Sequence, residues 1–277
     1  MNLGQYNTLS ILRETDPGLF LGDDQDGEVL LPHKYKPTEY SIGDQIEVFV
    51  YLDNEERPIA TTEEPFLTLN TFGYLRCCDV NKHGAFLDWG LVKQLFVPFR
   101  EQARPMKVGH WYVVYLYLDG QTSRLVGSSK TNRFLTQEGM TLKKFDECEI
   151  LVTHLTEKGA NVIIDQKHQG LIYIDDIFED IRSGDRLKAY VKKVREDKKV
   201  DIVLQPMGYR SIEPNAAYIL EELEVAGGFL PLSDKSSPDS IRQELGMSKK
   251  LFKKAIGSLY KEKKISISPD GISLLEE

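Results

Sequence analysis

Cysteine is scarce in this chain, and the little there is makes no pattern: Cys77, Cys78 and Cys148 stand alone among 277 residues without metal-ligand spacing. Adjacent Cys77 and Cys78 bridge each other only through a strained ring. An odd, unpatterned set reads as reduced thiols of a cytoplasmic protein rather than a disulfide framework. Long apolar runs are also missing. Nothing approaches the ~20 residues of a spanning helix, and Met1-Asn2-Leu3-Gly4-Gln5 lacks the charged and apolar regions of a secretory leader, so no membrane role is expected. Positive charge is in deficit, with 35 Lys and Arg against 43 Asp and Glu and a net charge of −8. That balance excludes a nonspecific coater of duplex DNA, which needs an overall basic field. It leaves open a single-strand binder, which works by stacking and a local basic groove. Catalytic patterning is absent as well. The 5 His are scattered, and there is no Asp/Glu cluster at metal-site spacing, no His pair on one helix face and no phosphate-cradling glycine loop. The chain is therefore read as a non-enzyme without metal or cofactor.

What is present is a threefold repeat. A glycine opens a short strand at Gly18-Leu19-Phe20-Leu21, Gly84-Ala85-Phe86-Leu87 and Gly159-Ala160-Asn161-Val162. A second glycine opens another at Gly43, Gly109 and Gly184, 25 residues after the first in every copy. The same slots recur around them. Leading strands run from Gln5 to Leu12, Gly73 to Val80 and Glu149 to Leu155; closing strands run from Pro58 to Thr62, Arg124 to Gly127 and Val200 to Leu204. Period-two runs such as Ile46-Val48-Val50 and Leu187-Ala189-Val191 follow the second glycine. Five short strands in about 60 residues with little helix signal suit a five-stranded Greek-key barrel of the OB type.

From about Ser211 the pattern turns helical. A helix is expected from Pro214 to before Gly227-Gly228, then a polar connector from Phe229 to Ser236. A second helix is capped by Ser237-Pro238 and closed at Gly246, and a third runs from Ser248 to about Glu262. Ile265-Ser266-Ile267 and Ile272-Ser273-Leu274 flank Pro269-Asp270-Gly271 as a hairpin. Three helices and a hairpin describe a winged helix-turn-helix. Its third helix divides into an apolar face (Leu251, Phe252, Ala255, Ile256, Leu259) and a lysine face that includes Lys249, Lys250, Lys253 and Lys254. Without Arg, Asn or Gln suited to bidentate base contacts, that face suits phosphates rather than sequence readout.

The middle copy, His83-Gly84-Ala85-Phe86-Leu87-Asp88 followed by Gln94-Leu95-Phe96-Val97-Pro98, resembles the S1 RNA-binding domain. Such domains hold single-stranded RNA on one barrel face with two aromatics, a His, and an Asp followed four residues on by an Arg. The resemblance implies His83 and Phe86 as the aromatic pair, with Val97 at the His slot and Asp119 with Arg124 as the polar pair. In the first copy it implies Phe20, Asp53 and Arg57, with Pro17 and Leu30 at the remaining slots. In the third, Lys158 and Asn161 replace the aromatics, Tyr173 takes the His position, and Arg195 with Lys199 replaces the Asp/Arg pair. Lys192, Lys193 and Lys199 there belong to a basic run. The alternatives are core packing for Phe20 and Phe86, surface ion pairs for the Asp/Arg couples and a solvated edge for the lysine run. Trp89 and Trp111 are read as packing residues.

Three S1-like barrels and a terminal winged helix resemble, in that order, the conserved virulence factor B family, with phrases such as Asp26-Gly27-Glu28-Val29-Leu30-Leu31-Pro32 adding to the likeness. Domains are expected over 1–64, 65–138, 139–208 and 209–277. Membership implies RNA binding and an influence on bacterial gene expression, virulence genes included. The expected partner is single-stranded RNA, with DNA or a protein left open for the winged helix. A protein-interaction adaptor of the transcription or translation machinery, using the same modules, is the competing reading.

Overall fold

A computed structural model describes residues 1–22, 27–177, 180–205 and 214–275. Asp26, Ser211 and the expected 208/209 junction lie outside the described residues. The chain forms two compact units, Met1–Ile202 and Val203–Glu277. It is mainly β: three five-stranded barrel-like sheets fill the first unit and a winged helix the second.

The first barrel comprises β1 (Gln5–Thr15), β2 (Gly18–Gly22), β3 (Glu28–Pro32), β4 (Gln45–Leu52) and β5 (Pro58–Thr61). It closes in the order β1-β2-β3-β5-β4, with β3 and β5 parallel and the other pairs antiparallel. The middle sheet comprises β6 (Phe72–Asn81), β7 (Gly84–Asp88), β8 (Leu95–Pro98), β9 (Trp111–Leu118) and β10 (Leu125–Ser128), ordered β10-β9-β6-β7-β8. Its two edges meet closely: a Cβ on Gly127 of β10 would fall 2.8 Å from Val97 Cγ2 of β8. The third barrel, β11 (Glu147–Thr156), β12 (Gly159–Ile164), β13 (His168–Tyr173), β14 (Arg186–Val194) and β15 (Val200–Val203), closes like the first.

The glycine repeat has a steric cause. At Gly18, Gly84 and Gly159 the next strand's backbone comes so near that a Cβ would fall 2.0, 2.4 and 1.9 Å from the carbonyl oxygens of Leu31, Val97 and Ile172. Only glycine fits there. Each second glycine has positive φ and donates its N–H at 2.8 Å to a residue of the first strand: Gly43 to Ile11, Gly109 to Cys77, Gly184 to Val152. Each acceptor lies at a register shift of that strand. The 25-residue spacing thus measures the path from a strand crossing to a docking bulge.

Aromatic side chains join neighbouring barrels. Trp89, only 3% exposed, meets Phe49 and Tyr51 of the first barrel edge-on at centroid separations of 5.8 and 6.2 Å. Its indole N–H donates to the Lys93 carbonyl at 2.5 Å. Between the second and third barrels, buried Phe72 packs with Leu151 and Ile163. Its N–H donates to Gln166 Oε1 at 2.6 Å, and its carbonyl accepts from Arg186 at 2.7 Å. Backbone groups of one barrel are therefore satisfied by side chains of the next, which fixes their mutual orientation.

In the second unit α1 (Pro214–Val225), α2 (Pro238–Leu245) and α3 (Lys249–Lys261) surround a core centred on Ile219, Phe252 and Ile256. Ser237 and Ser248 cap α2 and α3 by accepting from Ser240 N–H and Leu251 N–H, and left-handed Gly246 ends α2. One expectation fails. The connector after α1 carries β16 (Phe229–Leu230), which pairs with β18 (Ile272–Leu274) to complete a sheet ordered β16-β18-β17, where β17 is Ile265–Ile267. A two-residue strand has no periodicity to read; its partners, Ser273 for Phe229 and Ile272 for Leu230, define it.

Candidate nucleic-acid interface

Strands β7 and β8 place the candidate residues of the middle barrel. Period-two alternation buries Ala85 and Leu87 and turns Phe86 outward, half-buried. Directly across the ladder stands Phe96, with the two rings 5.2 Å apart. Val97, assigned to the His slot, is instead fully buried: one residue of register reverses the face. Phe96 is therefore the outward aromatic, in the position that Leu30 holds opposite Phe20 in the first barrel. Tyr173, assigned to the same slot, pairs with Gly159 as Pro32 does with Gly18 and Pro98 with Gly84, so it sits two residues further along.

His83 is exposed at the mouth of this face, its N–H held by Asn81 Oδ1 at 2.8 Å. His83, Phe86, Phe96 and Arg124 share a cleft of about 470 Å³ with Asn54 and Glu56 of the first barrel. Lys93 reaches across from within it, donating to the Asp53 carbonyl at 2.6 Å, and burial lowers its pKa. The cleft thus gathers two aromatic rings, an imidazole and two cations, of which Arg124 is paired with Glu56.

The turn that carries the Asp/Arg couples recurs in all three barrels. Asp53 N–H donates to Arg57 O, Asp119 N–H to Arg124 O and Arg195 N–H to Lys199 O, each at 2.9 Å. The three turns share one backbone hydrogen bond, but their side chains pair differently. Asp53 is held by the Arg57 guanidinium at 2.9 and 2.7 Å and by the backbone N–H groups of Glu55 and Arg57. Burial pushes its pKa up, yet the hydrogen bonds from Arg57 prevail and hold it below its ordinary value. In the middle barrel the extra residue parts the couple. Asp119, buried, accepts from Thr122 Oγ1 at 2.7 Å and lies 3.5 Å from Arg100, while Arg124 pairs with Glu56 of the first barrel. In the third barrel Arg195 takes the Asp position, pairs with Asp201 and donates to the Tyr173 hydroxyl.

The outer barrels are less open. Phe20 is half-buried, and the Arg13 guanidinium, ion-paired with Glu28, lies 4.2 Å from its ring centre. Lys192 is engaged by Asp176 at 2.6 Å and Lys199 by Asp197 at 3.4 Å, whereas Lys193 projects outward. On α3, Lys250, Lys253 and Lys254 are exposed and Lys249 half-buried. Phe252, Ala255, Ile256 and Leu259 face the core; Leu251, expected with them, is 42% exposed. Trp111, expected to pack, is 51% exposed. Among the described residues no three His, Cys, Asp or Glu side chains converge to hold a metal ion, and no helix is long and apolar enough to cross a membrane.

An S1 domain model matches residues 3–63, and a CvfB-like winged helix domain model matches residues 217–274. Over 273 residues the chain is 32% identical to the uncharacterized protein YitL of Bacillus subtilis, covering 96% of this chain and 91% of that one. It is 24% identical over 246 residues to conserved virulence factor B of Staphylococcus epidermidis, covering 86% and 83% of the two chains. The chain belongs to the conserved virulence factor B family. A crystal structure titled as a multidomain protein with nucleic acid binding domains, from Streptococcus pneumoniae, is also similar, at 29% identity, 99% and 98% coverage and a TM-score of 0.43.

Of the residues that sequence reasoning names in this family member, His83, Phe86 and Arg124 come together in one cleft, but their neighbours there go unnamed. Phe96 escapes it because only the Phe86–Phe96 register shows which way that ring points. Glu56 escapes it because it reaches the cleft from the first barrel, and Lys93 because its contact, the Asp53 carbonyl, lies in that barrel. No local sequence signal marks either.

Proposed function

We propose that this chain is a cytoplasmic regulator of bacterial gene expression that grips single-stranded RNA, working through modules at residues 1–64, 65–138, 139–208 and 209–277. The observation that carries this reading is the cleft in which Phe86, Phe96, His83 and Arg124 converge on one outward barrel face. Unpaired bases stack on such rings, and cations beside them hold phosphates. The S1 and CvfB-like winged helix matches support it. The outward lysines of α3 add sequence-independent phosphate contacts. Asp53 with Arg57 and Arg195 with Asp201 keep the outer turns rigid, and Lys193 of the third barrel extends the contact. The intact chain titrated with a labelled 20-nucleotide single-stranded RNA at two salt concentrations tests the proposal, with single-stranded and duplex DNA of the same sequence alongside. Binding that prefers RNA and weakens with salt is expected. His83→Ala with Phe86→Ala should weaken it by at least about 5-fold, the worth of one lost stack. Absent or salt-insensitive binding would sink the reading.

A further inference from the structure

A second cleft, of about 740 Å³, lies where the β6/β9 flank of the middle barrel meets the third barrel. It shares no lining residue with the cleft described above. Its floor is a pair of aromatic rings: Trp111 stacks on Tyr74 with centroids 5.3 Å apart and planes 24° from parallel. The register explains the pair. Tyr74 faces Val113 and Arg76 faces Trp111, so Tyr74 and Trp111 are diagonal neighbours on one face of the sheet. Tyr74 is fixed from behind by the third barrel: a Cβ on Gly184 would fall 2.0 Å from its ring. The glycine that makes the third barrel's own turn thus also seats this tyrosine. Trp111 is left 51% exposed on a rigid backing.

The rim is one-sided in charge. Among the described residues, Arg104, Lys107, Lys130 and Arg133 line the cleft together with His110 and His154, and no Asp or Glu does. In a chain of net charge −8 such a lining is a local reversal of sign. Arg133 is anchored by Glu101, 2.9 Å away and buried. Arg104, Lys107 and Lys130 make no ion pair among the described residues. A solitary exposed aromatic is ordinary on a protein surface. An exposed indole held flat and ringed by unneutralised cations is the arrangement that single-strand binders use.

We propose that this cleft is a second seat for single-stranded nucleic acid: one unpaired base stacks on the open face of Trp111 while its flanking phosphates lie along Arg104, Lys107 and Lys130. The inference rests on the RNA-binding reading and adds that the strand is held at two separate places in the first unit. Two linked weak seats raise affinity by effective concentration without either being strong.

The test uses the intact chain and a 20-nucleotide single-stranded RNA. Trp111→Ala should weaken binding by at least about 5-fold, and Trp111→Phe, which keeps a π-face, should restore most of the loss. Arg104→Ala, Lys107→Ala and Lys130→Ala together should lower the slope of log K against log salt by about 2, at ~0.7 for each phosphate no longer neutralised. Tryptophan fluorescence should quench on RNA addition in the wild type and far less in Trp111→Phe, because the remaining Trp89 is buried. Unchanged thermal melting of the variants excludes a folding defect. If Trp111 and basic-rim variants bind like wild type while His83→Ala with Phe86→Ala binds weakly, this seat is wrong and the first cleft stands. If only the Trp111 set matters, this seat is upheld and the first cleft is wrong. A wild-type chain that binds no RNA overturns both.

Discussion

Replacing Gly84 by alanine puts the steric origin of the repeat to a quantitative test. The added methyl carbon would lie 2.4 Å from Val97 O and 2.8 Å from Pro98 Cα, both backbone atoms, at a φ of +158°. Relief requires β7 and β8 to part by about 1 Å where Gly84 faces Pro98, since ordinary carbon contacts begin near ~3.5 Å. Backbone strain of about 1–3 kcal/mol adds to one or two weakened ladder hydrogen bonds at about 1 kcal/mol each. Together these span about 2–5 kcal/mol, and the middle of that range, about 3–4 kcal/mol, is the expected cost. Gly109 in the same barrel supplies the control. Its φ is +82°, but nothing stands within 4 Å of a Cβ there, so alanine meets only the left-handed penalty of about 1 kcal/mol. In a unit of about 200 residues each kcal/mol moves the midpoint by about 2–4 °C. Calorimetry of the intact chain should therefore show the first unit's transition falling by roughly 6–16 °C for Gly84→Ala and about 2–4 °C for Gly109→Ala. Equal shifts would refute the argument that strand proximity, rather than turn conformation, demands glycine at the first position.

The depressed Asp53 pKa carries a pH signature: its stabilisation is present above the ordinary carboxylate value of about 3.9 and is lost as pH falls through the lower folded value. Asp53→Asn should accordingly cost about 1–2 kcal/mol in urea unfolding at pH 7, and the gap from wild type should close toward pH 3; a gap independent of pH would count against the ion-pair account. Thiol labelling at pH 8 should modify half-exposed Cys78 first and spare the buried Cys77 and Cys148 until denaturant is added, since burial raises both and pushes Cys148 to about 12. Three equal rates in the native chain would contradict that burial.

Local chemistry makes much of the architecture legible without coordinates. Serine caps, Gly246 and the Pro269-Asp270-Gly271 turn each act within a few residues of themselves, and the barrel glycines show through a spacing repeated three times, so both carry the strand and helix order directly. β16 escapes because two residues have no period. Leu251 illustrates a related failure: a helical wheel places it beside Phe252 and Ile256, yet it is 42% exposed while Phe252, one residue on, is fully buried, so the core reaches only part of the apolar face.

The sequence by itself determined that one scaffold is used three times and followed by a winged helix, because a glycine spacing repeated in every copy and the local hydrogen bonding of helix caps are both written in residue order. Tertiary structure alone decided what the scaffolds do to one another. It turned Trp89 into a wedge between barrels and left Trp111 on an open platform seated by Gly184, and it gave Arg124 to Glu56 rather than Asp119. Those pairings depend on which surfaces meet across tens of residues, and no periodicity along the chain encodes a contact between separate barrels.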